Sequence, residues 1–169
     1  SESMALEGAS VTGIDMAEAG LEVAKLHLLE SGLDVDYQKI PVEELAEKHA
    51  GEFDVVTCLE MLEHVPDPSS IIKACSKLVK SGGQVFFSTI NRNPKSYLFA
   101  IIGAEYVLKL LPQGTHDWDK FIQPSEMDEW ARHAGLSLKT MIGMTYNPFT
   151  KVYKLEHDVS VNYLCFYVR

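Results

Sequence analysis

Three clusters of polar side chains carry the residue types from which a binding or catalytic site can be built. Asp15 closes the run Ala9-Ser10-Val11-Thr12-Gly13-Ile14. An acid at the tip of a buried strand can accept hydrogen bonds from both ribose hydroxyls of an adenosine, or it can cap the helix that follows, and the residue alone weighs the two evenly. Glu60, Glu63 and His64 stand at i, i+3 and i+4. On a helical turn they would share one face, and two carboxylates with an imidazole suit a hard cation such as magnesium or manganese. The alternative, which these three residues taken alone favour, leaves both glutamates solvated and His64 capping a loop. The third cluster, Thr89-Ile90-Asn91-Arg92-Asn93, either lines a substrate mouth or forms turns, and the turn-forming habit of Asn favours the second. His116, in Gly114-Thr115-His116-Asp117, is a further candidate acid or base, set against the ordinary case of an exposed loop histidine.

The elements that must position these groups alternate along the chain. An opening helix ends at Gly8, and the strand Ala9 to Asp15 follows. From Glu18 to Ser31, Leu21, Val23, Ala24 and Leu28 give a helical pattern that Gly32 stops. A strand from Val35 to Lys39 leads into a short helix from Val42 to His49. Phe53 to Cys58 is the next strand, with an apolar centre, and after Pro66-Asp67-Pro68 a helix runs from Ser69 to Val79. Lys80-Ser81-Gly82-Gly83 punctuates the chain before the buried strand Gln84 to Ile90. Strand and helix in alternation with short loops predict an α/β fold, a mostly parallel sheet with helices on both faces. Ligands of such sheets sit beyond the carboxyl ends of the strands, where all three clusters fall.

The pattern breaks after Asn91. An apolar stretch from Ser96 to Leu111 precedes a turn-rich segment, which reads as an insertion at about 94–120 in a single domain, 1–169. Pro124 to Ala134 is then a helix with Ser125 as N-cap. Leu136 to Met144 and Val159 to Val168 alternate as two strands and could close the sheet as an antiparallel edge hairpin.

Composition narrows the partners. The chain has 169 residues, 46% hydrophobic and 23% charged, as in an ordinary globular protein. A formal charge of -9 argues against a broad grip on nucleic acid phosphates, so nucleic acid is not an expected partner. Peripheral attachment to an anionic membrane through a local patch stays open. Cys58, Cys75 and Cys165 fit no zinc or redox pattern and read as thiols of a reducing cytoplasm. No apolar run reaches the roughly 20 residues of a membrane-spanning helix.

Gly8-Ala9-Ser10-Val11-Thr12-Gly13-Ile14-Asp15, Val55-Val56-Thr57-Cys58-Leu59-Glu60-Met61-Leu62-Glu63-His64-Val65 and Phe86-Phe87-Ser88-Thr89-Ile90-Asn91-Arg92-Asn93 together resemble the ubiquinone-biosynthesis O-methyltransferases. Gly114-Thr115-His116 and Tyr146-Asn147-Pro148-Phe149 are similar to that family as well and are the more specific part of the match. The resemblance implies a Rossmann-like class I methyltransferase sandwich that uses S-adenosylmethionine to methylate polyprenyl phenol and quinol intermediates. It implies Asp15 and the adjoining Met16 on the cofactor, with Leu59 beside it, and a divalent-cation site, such as Mg2+, at Glu60, Glu63 and His64. The family's glycine-rich loop is absent. The opening Ser1-Glu2-Ser3-Met4-Ala5-Leu6-Glu7 reads like a helix already under way, so we expect an N-terminally incomplete domain.

Methyl transfer from a sulfonium is an in-line displacement, so the protein has to hold the phenol oxygen near the methyl carbon and remove its proton. A phenol has a pKa near 10, and a cation on the catechol oxygens would stabilise the phenolate. Without the cation, His64 or His116 would serve as general base. The stretch Tyr97 to Leu111 is apolar nearly all round yet too short to span a bilayer, and reads as a membrane-docking lid for a polyprenyl tail or as a packed helix. The expected setting is the cytoplasmic side of the inner membrane, near other ubiquinone-biosynthesis enzymes.

Overall fold

The structure is a computed structural model that describes residues 1–97, 117–147 and 150–169. The chain divides into two compact units, Ser1–Lys48 and His49–Arg169.

In the first unit, α1 (Glu2–Leu6) precedes β1 (Thr12–Ile14), α2 (Glu18–Ser31), β2 (Asp36–Gln38) and α3 (Val42–Lys48). β1 and β2 pair in parallel, Thr12 opposite Asp36 and Ile14 opposite Gln38. α2 stops as its sequence requires: Gly32 takes a left-handed φ of 66° and returns its N–H to the Leu28 carbonyl. The periodic face holds at Leu21, which is buried, and at Ala24 and Leu28, which are half-buried. Val23 is off that face and exposed. A step of two residues turns a helix about 200°, so Val23 could not share the side of Leu21.

The second unit is built on a five-stranded mixed sheet in the order β3-β4-β7-β5-β6. Its strands are β3 (Phe53–Leu59), β4 (Val79–Ile90), β5 (Ser137–Asn147), β6 (Val152–Glu156) and β7 (Asn162–Val168), with α4 (Pro68–Leu78), the short α5 (Pro94–Ser96) and α6 (Pro124–His133) between them. β3 and β4 are parallel, whereas β4–β7, β5–β7 and β5–β6 are antiparallel. α4 begins sharply because Asp67 accepts from the backbone N–H groups of Ser69 (3.0 Å) and Ser70 (3.2 Å), with Pro68 in the first turn. The Ser69 hydroxyl, which donates to Asp67 at 2.6 Å, together with those backbone bonds stabilises the Asp67 carboxylate and lowers its pKa. α4 buries Ile71, Ile72, Ala74, Cys75 and Leu78 and touches α6, β3 and β4. On β7 the pleat sends Tyr163, Cys165 and Tyr167 to the buried face, opposite Thr89, Phe87 and Val85 of β4.

Four expectations need correction. The two closing strands pair antiparallel as expected, but β7 lies between β4 and β5, so the antiparallel hairpin at the edge of the described sheet is β5–β6. All five β6 residues are exposed, so no burial alternation marked that strand in the sequence. β3 is buried only at Cys58, and its side away from β4 has no partner strand among the described residues. Lys80-Ser81-Gly82-Gly83 lies within β4, as an irregularity between the pairs Phe53–Val79 and Val55–Gln84. The N-cap of α6 is Gln123 rather than Ser125: Glu126 accepts the Gln123 N–H at 2.8 Å, and Pro124 fills the first helical position.

Candidate active site at the strand ends

Asp15 and Met16 lie in the first unit. Asp15 Oδ1 accepts the Ala17 N–H at 2.8 Å, and Ala17, not Asp15, is the N-cap of α2. The bond bends the chain out of β1 and leaves Oδ2 without a hydrogen-bond partner among the described residues. An exposed carboxylate with one oxygen anchored and the other open fits a pair of ribose hydroxyls. Met16 beside it is 58% exposed, an apolar surface of the kind an adenine or ribose ring covers.

In the second unit Leu59, at the end of β3, is 50% exposed. Glu60 then adopts a φ of 51°, in the left-handed region that few non-glycine residues occupy. Its N–H donates to the Ser88 carbonyl (3.0 Å) and lies 3.1 Å from Ser88 Oγ. Ser88 Oγ donates to Glu60 Oε1 at 2.6 Å, and Asn162 Nδ2 donates to Oε2 at 3.0 Å. Both carboxylate oxygens of Glu60 are thus engaged. Leu62–His64 forms a single 3-10 turn rather than the continuation of a helix through Glu60. Glu63 is buried at 3% exposure, and its Oε2 accepts the Thr89 hydroxyl at 2.7 Å. Burial pushes the Glu63 carboxyl above its ordinary value; the Thr89 bond pulls the other way by less. His64 closes the 3-10 turn on the exposed side.

The common face expected for Glu60, Glu63 and His64 is therefore not formed. Ser88 and Thr89 are neighbours on β4, and the pleat directs successive side chains to opposite faces. The hydroxyls that hold the two glutamates thus emerge on opposite sides of the strand. Among the described residues no three His, Cys, Asp or Glu side chains gather into a metal-ligand group, and as arranged these three do not fit a divalent cation. Sequence spacing also missed Ser88 and Asn162, the latter 102 residues from Glu60, because only the β4–β7 pairing brings it there.

The third cluster is structural. Asn91 Nδ2 donates to the Val159 carbonyl, and Asn93 Nδ2 to that of Ser160. Asn93 also caps α5 by accepting the Ser96 N–H. Arg92 donates to the carbonyls of Asp119 and Phe121 and pairs with Glu126. Lys95 holds Asp158 at 2.6 Å and lowers its pKa to about 2. Trp118 Nε1 donates to the Asn93 carbonyl at 3.3 Å, and its ring meets Tyr97 edge-on. His116 and the apolar stretch from Leu98 to Leu111 lie outside the described residues.

Residues 1–140 match a methyltransferase domain family. The ubiquinone biosynthesis O-methyltransferase of Pseudomonas aeruginosa is 69% identical over 164 residues, 97% of this chain and 71% of that protein. The protein of the same name from Marinobacter nauticus is 69% identical over 97% of this chain and 70% of its own length. An S-adenosylmethionine-dependent methyltransferase structure from Methanosarcina mazei superposes with a TM-score of 0.72 at 18% identity, covering 99% of this chain and 85% of that one. A [4+2]-cyclase, SpnF, shares the fold at a TM-score of 0.66 and 12% identity, covering 95% and 66% of the two chains. The fold is that of the class I methyltransferases.

Proposed function

This chain belongs to the methyltransferase-domain family and, within it, to the ubiquinone biosynthesis O-methyltransferases, and on that premise we propose that it transfers the methyl group of S-adenosylmethionine to a phenolic oxygen of a polyprenylated phenol or catechol. The observation that carries this reading is the 69% identity, which extends over 97% of the chain. Incubation with a prenylated catechol and methyl-labelled S-adenosylmethionine tests it. Label should appear in the methyl ether of the lipid, and labelling of water-soluble phenols alone would overturn the substrate class.

S-adenosylmethionine, when bound, supplies an electrophilic methyl carbon on a sulfonium. In the first unit Asp15 binds the ribose hydroxyls through its open oxygen and Met16 offers apolar surface beside it; in the second unit the exposed Leu59 is a candidate of its own for the cofactor. His64 accepts the phenol proton at a ring nitrogen as the oxygen attacks, since at neutral pH little of a phenol with a pKa near 10 is ionised. His116 is the alternative base. We read 1–169 as one methyltransferase domain interrupted at about 94–120; the family match at 1–140 runs across both compact units.

Two finer readings are separate. A divalent cation such as Mg2+ at Glu60, Glu63 and His64 asks Glu63 to exchange the Thr89 hydroxyl for the ion and to ionise against its burial. No step above depends on it. Peripheral attachment to the cytoplasmic face of the inner membrane is supported by the apolar run Tyr97 to Leu111 and by the lipid nature of the substrate class. No helix among the described residues is long and apolar enough to cross a membrane. Charging Leu98, Phe99 and Ile102 should abolish liposome binding. Contact with other ubiquinone-biosynthesis enzymes follows from a shared substrate confined to lipid.

A further inference from the structure

The β5–β6 hairpin carries an apolar face that nothing among the described residues covers. Register places Tyr146 opposite Tyr153 and Met144 opposite Leu155, so these four side chains share one face of the ribbon. Tyr153 is 65% exposed and Leu155 62%, and Tyr146 stacks on Tyr153 with ring centroids 4.6 Å apart. The other face shows Thr145, Asn147, Lys154 and Glu156, with Val152 half-exposed near the tip. Among the described residues β6 pairs on one side only, so the ribbon stands at the rim of the described sheet.

Charge identifies what covers it. The whole chain carries a formal charge of -9, yet from Ser137 to Glu156, the end of β6, there are three lysines, Lys139, Lys151 and Lys154, against a single acid, Glu156. Lys151 sits in the turn with a φ of 55°, and Lys154 follows on β6. A second copy is a poor occupant, because a twofold contact would set these lysines against their own kind. A soluble protein is also a poor one. Five residue pairs cover on the order of 170 Å², taking about 3.4 Å per residue and two strands about 5 Å apart, against roughly 800 Å² per partner in a standard interface. A bilayer needs no matching partner surface. Tyrosine rings settle at headgroup depth with the hydroxyl in water, aliphatic side chains reach below them, and lysines meet lipid phosphates.

We propose that the β5–β6 hairpin is a lipid-docking element that seats Tyr146, Tyr153 and Leu155 in the interface of an anionic bilayer, with Lys151 and Lys154 against the headgroups. The inference rests on the reading that the enzyme works at a membrane, and it assigns part of that contact to an element separate from the apolar insertion.

Flotation of the full chain with vesicles of phosphatidylcholine and phosphatidylglycerol (3:1), and of phosphatidylcholine alone, tests it. Each lysine near an anionic surface is worth roughly fivefold in binding, so the Lys151→Ala, Lys154→Ala double variant should bind the anionic vesicles about 25-fold more weakly and the neutral ones unchanged. Tyr153→Ser with Leu155→Ser should weaken binding to both. Turnover of a short-chain, water-soluble catechol should stay at the parent rate, which shows that both variants are folded. If both hairpin variants float like the parent while Leu98→Asp with Phe99→Asp does not, the hairpin proposal is overturned and membrane attachment through the insertion stands. If the parent chain itself fails to float, both readings fall. Should Tyr153→Ser with Leu155→Ser shift the sedimentation of the free protein from dimer to monomer and leave flotation intact, the face joins copies of the chain and the proposal is overturned.

Discussion

The Thr89 hydroxyl donates to the buried Glu63 carboxylate at 2.7 Å, and that bond is the principal compensation for a charge that burial opposes. Glu63 has a folded-state pKa above its ordinary value of 4.5. Its stabilising contribution is therefore complete below that ordinary value and is lost as pH rises through the raised one. Glu63→Gln keeps a neutral side chain that still accepts from Thr89. Urea midpoints of the variant should match the parent in acid and exceed it at neutral pH, and equal midpoints at both would refute the assignment.

Thr89→Val removes the donor and leaves the carboxylate unpaired. We expect a loss of about 1–3 kcal/mol at pH 7, shrinking as the solution is acidified and Glu63 gains its proton. A loss independent of pH would assign the effect to packing.

Tyr163 and Tyr167 are both fully buried on β7 but differ in one bond. Tyr163 donates to the Ile122 carbonyl at 2.9 Å, whereas the Tyr167 hydroxyl, beside the Cys165 thiol, meets no hydrogen-bond partner among the described residues. Tyr163→Phe should cost about 1–2 kcal/mol and Tyr167→Phe close to nothing. Chemical denaturation of the pair reads the difference directly.

A Cβ on Gly143 would lie 1.8 Å from the Asp158 carbonyl oxygen, a backbone atom that cannot step aside. Gly143→Ala should cost about 3 kcal/mol or more by forcing β5 from the loop before β7. Faster hydrogen exchange along the β5–β7 pairing would accompany it, and a normal melting temperature would contradict the close approach.

Asp15→Asn keeps the size of the side chain but weakens its acceptors. Loss of a charged hydrogen-bond pair is worth about 1.5–3 kcal/mol, so KM for S-adenosylmethionine should rise roughly 10- to 100-fold with kcat little changed. An unchanged KM would return Asp15 to a purely conformational role. Chelation tests the cation reading: with Glu60 and Glu63 already engaged by Ser88, Asn162 and Thr89, turnover should keep its full rate in chelator, and a loss that magnesium restores would return the ion to the scheme.

The alternation of elements was legible because apolar runs and their stops are local: Gly32 ends α2, and Asp67-Pro68 starts α4, within a few residues of each helix. Asp15 was legible as a strand-end acid, while the backbone shows that Ala17, whose N–H it accepts, is the N-cap of α2. The shared face of Glu60, Glu63 and His64 was not, because it presumed a helical turn where Glu60 takes a positive φ and the next residues form a 3-10 turn. Nor could spacing reveal Asn162, whose approach to Glu60 depends on strand pairing across 102 residues. β6 escaped because a strand exposed at every residue has no periodicity to read.

The meeting of Trp118 with Asn93 and Tyr97 brings together residues that stand before and after the segment 98–116 in the chain. Those contacts join residues on the two sides of the segment 98–116 without drawing on the strand pairings of β4, β7 and β5. With its two ends joined in this way, a change in the length of that segment would cost only about 0.6 kcal/mol for each doubling, so substitutions of length there would leave the pairing of the strands as it is.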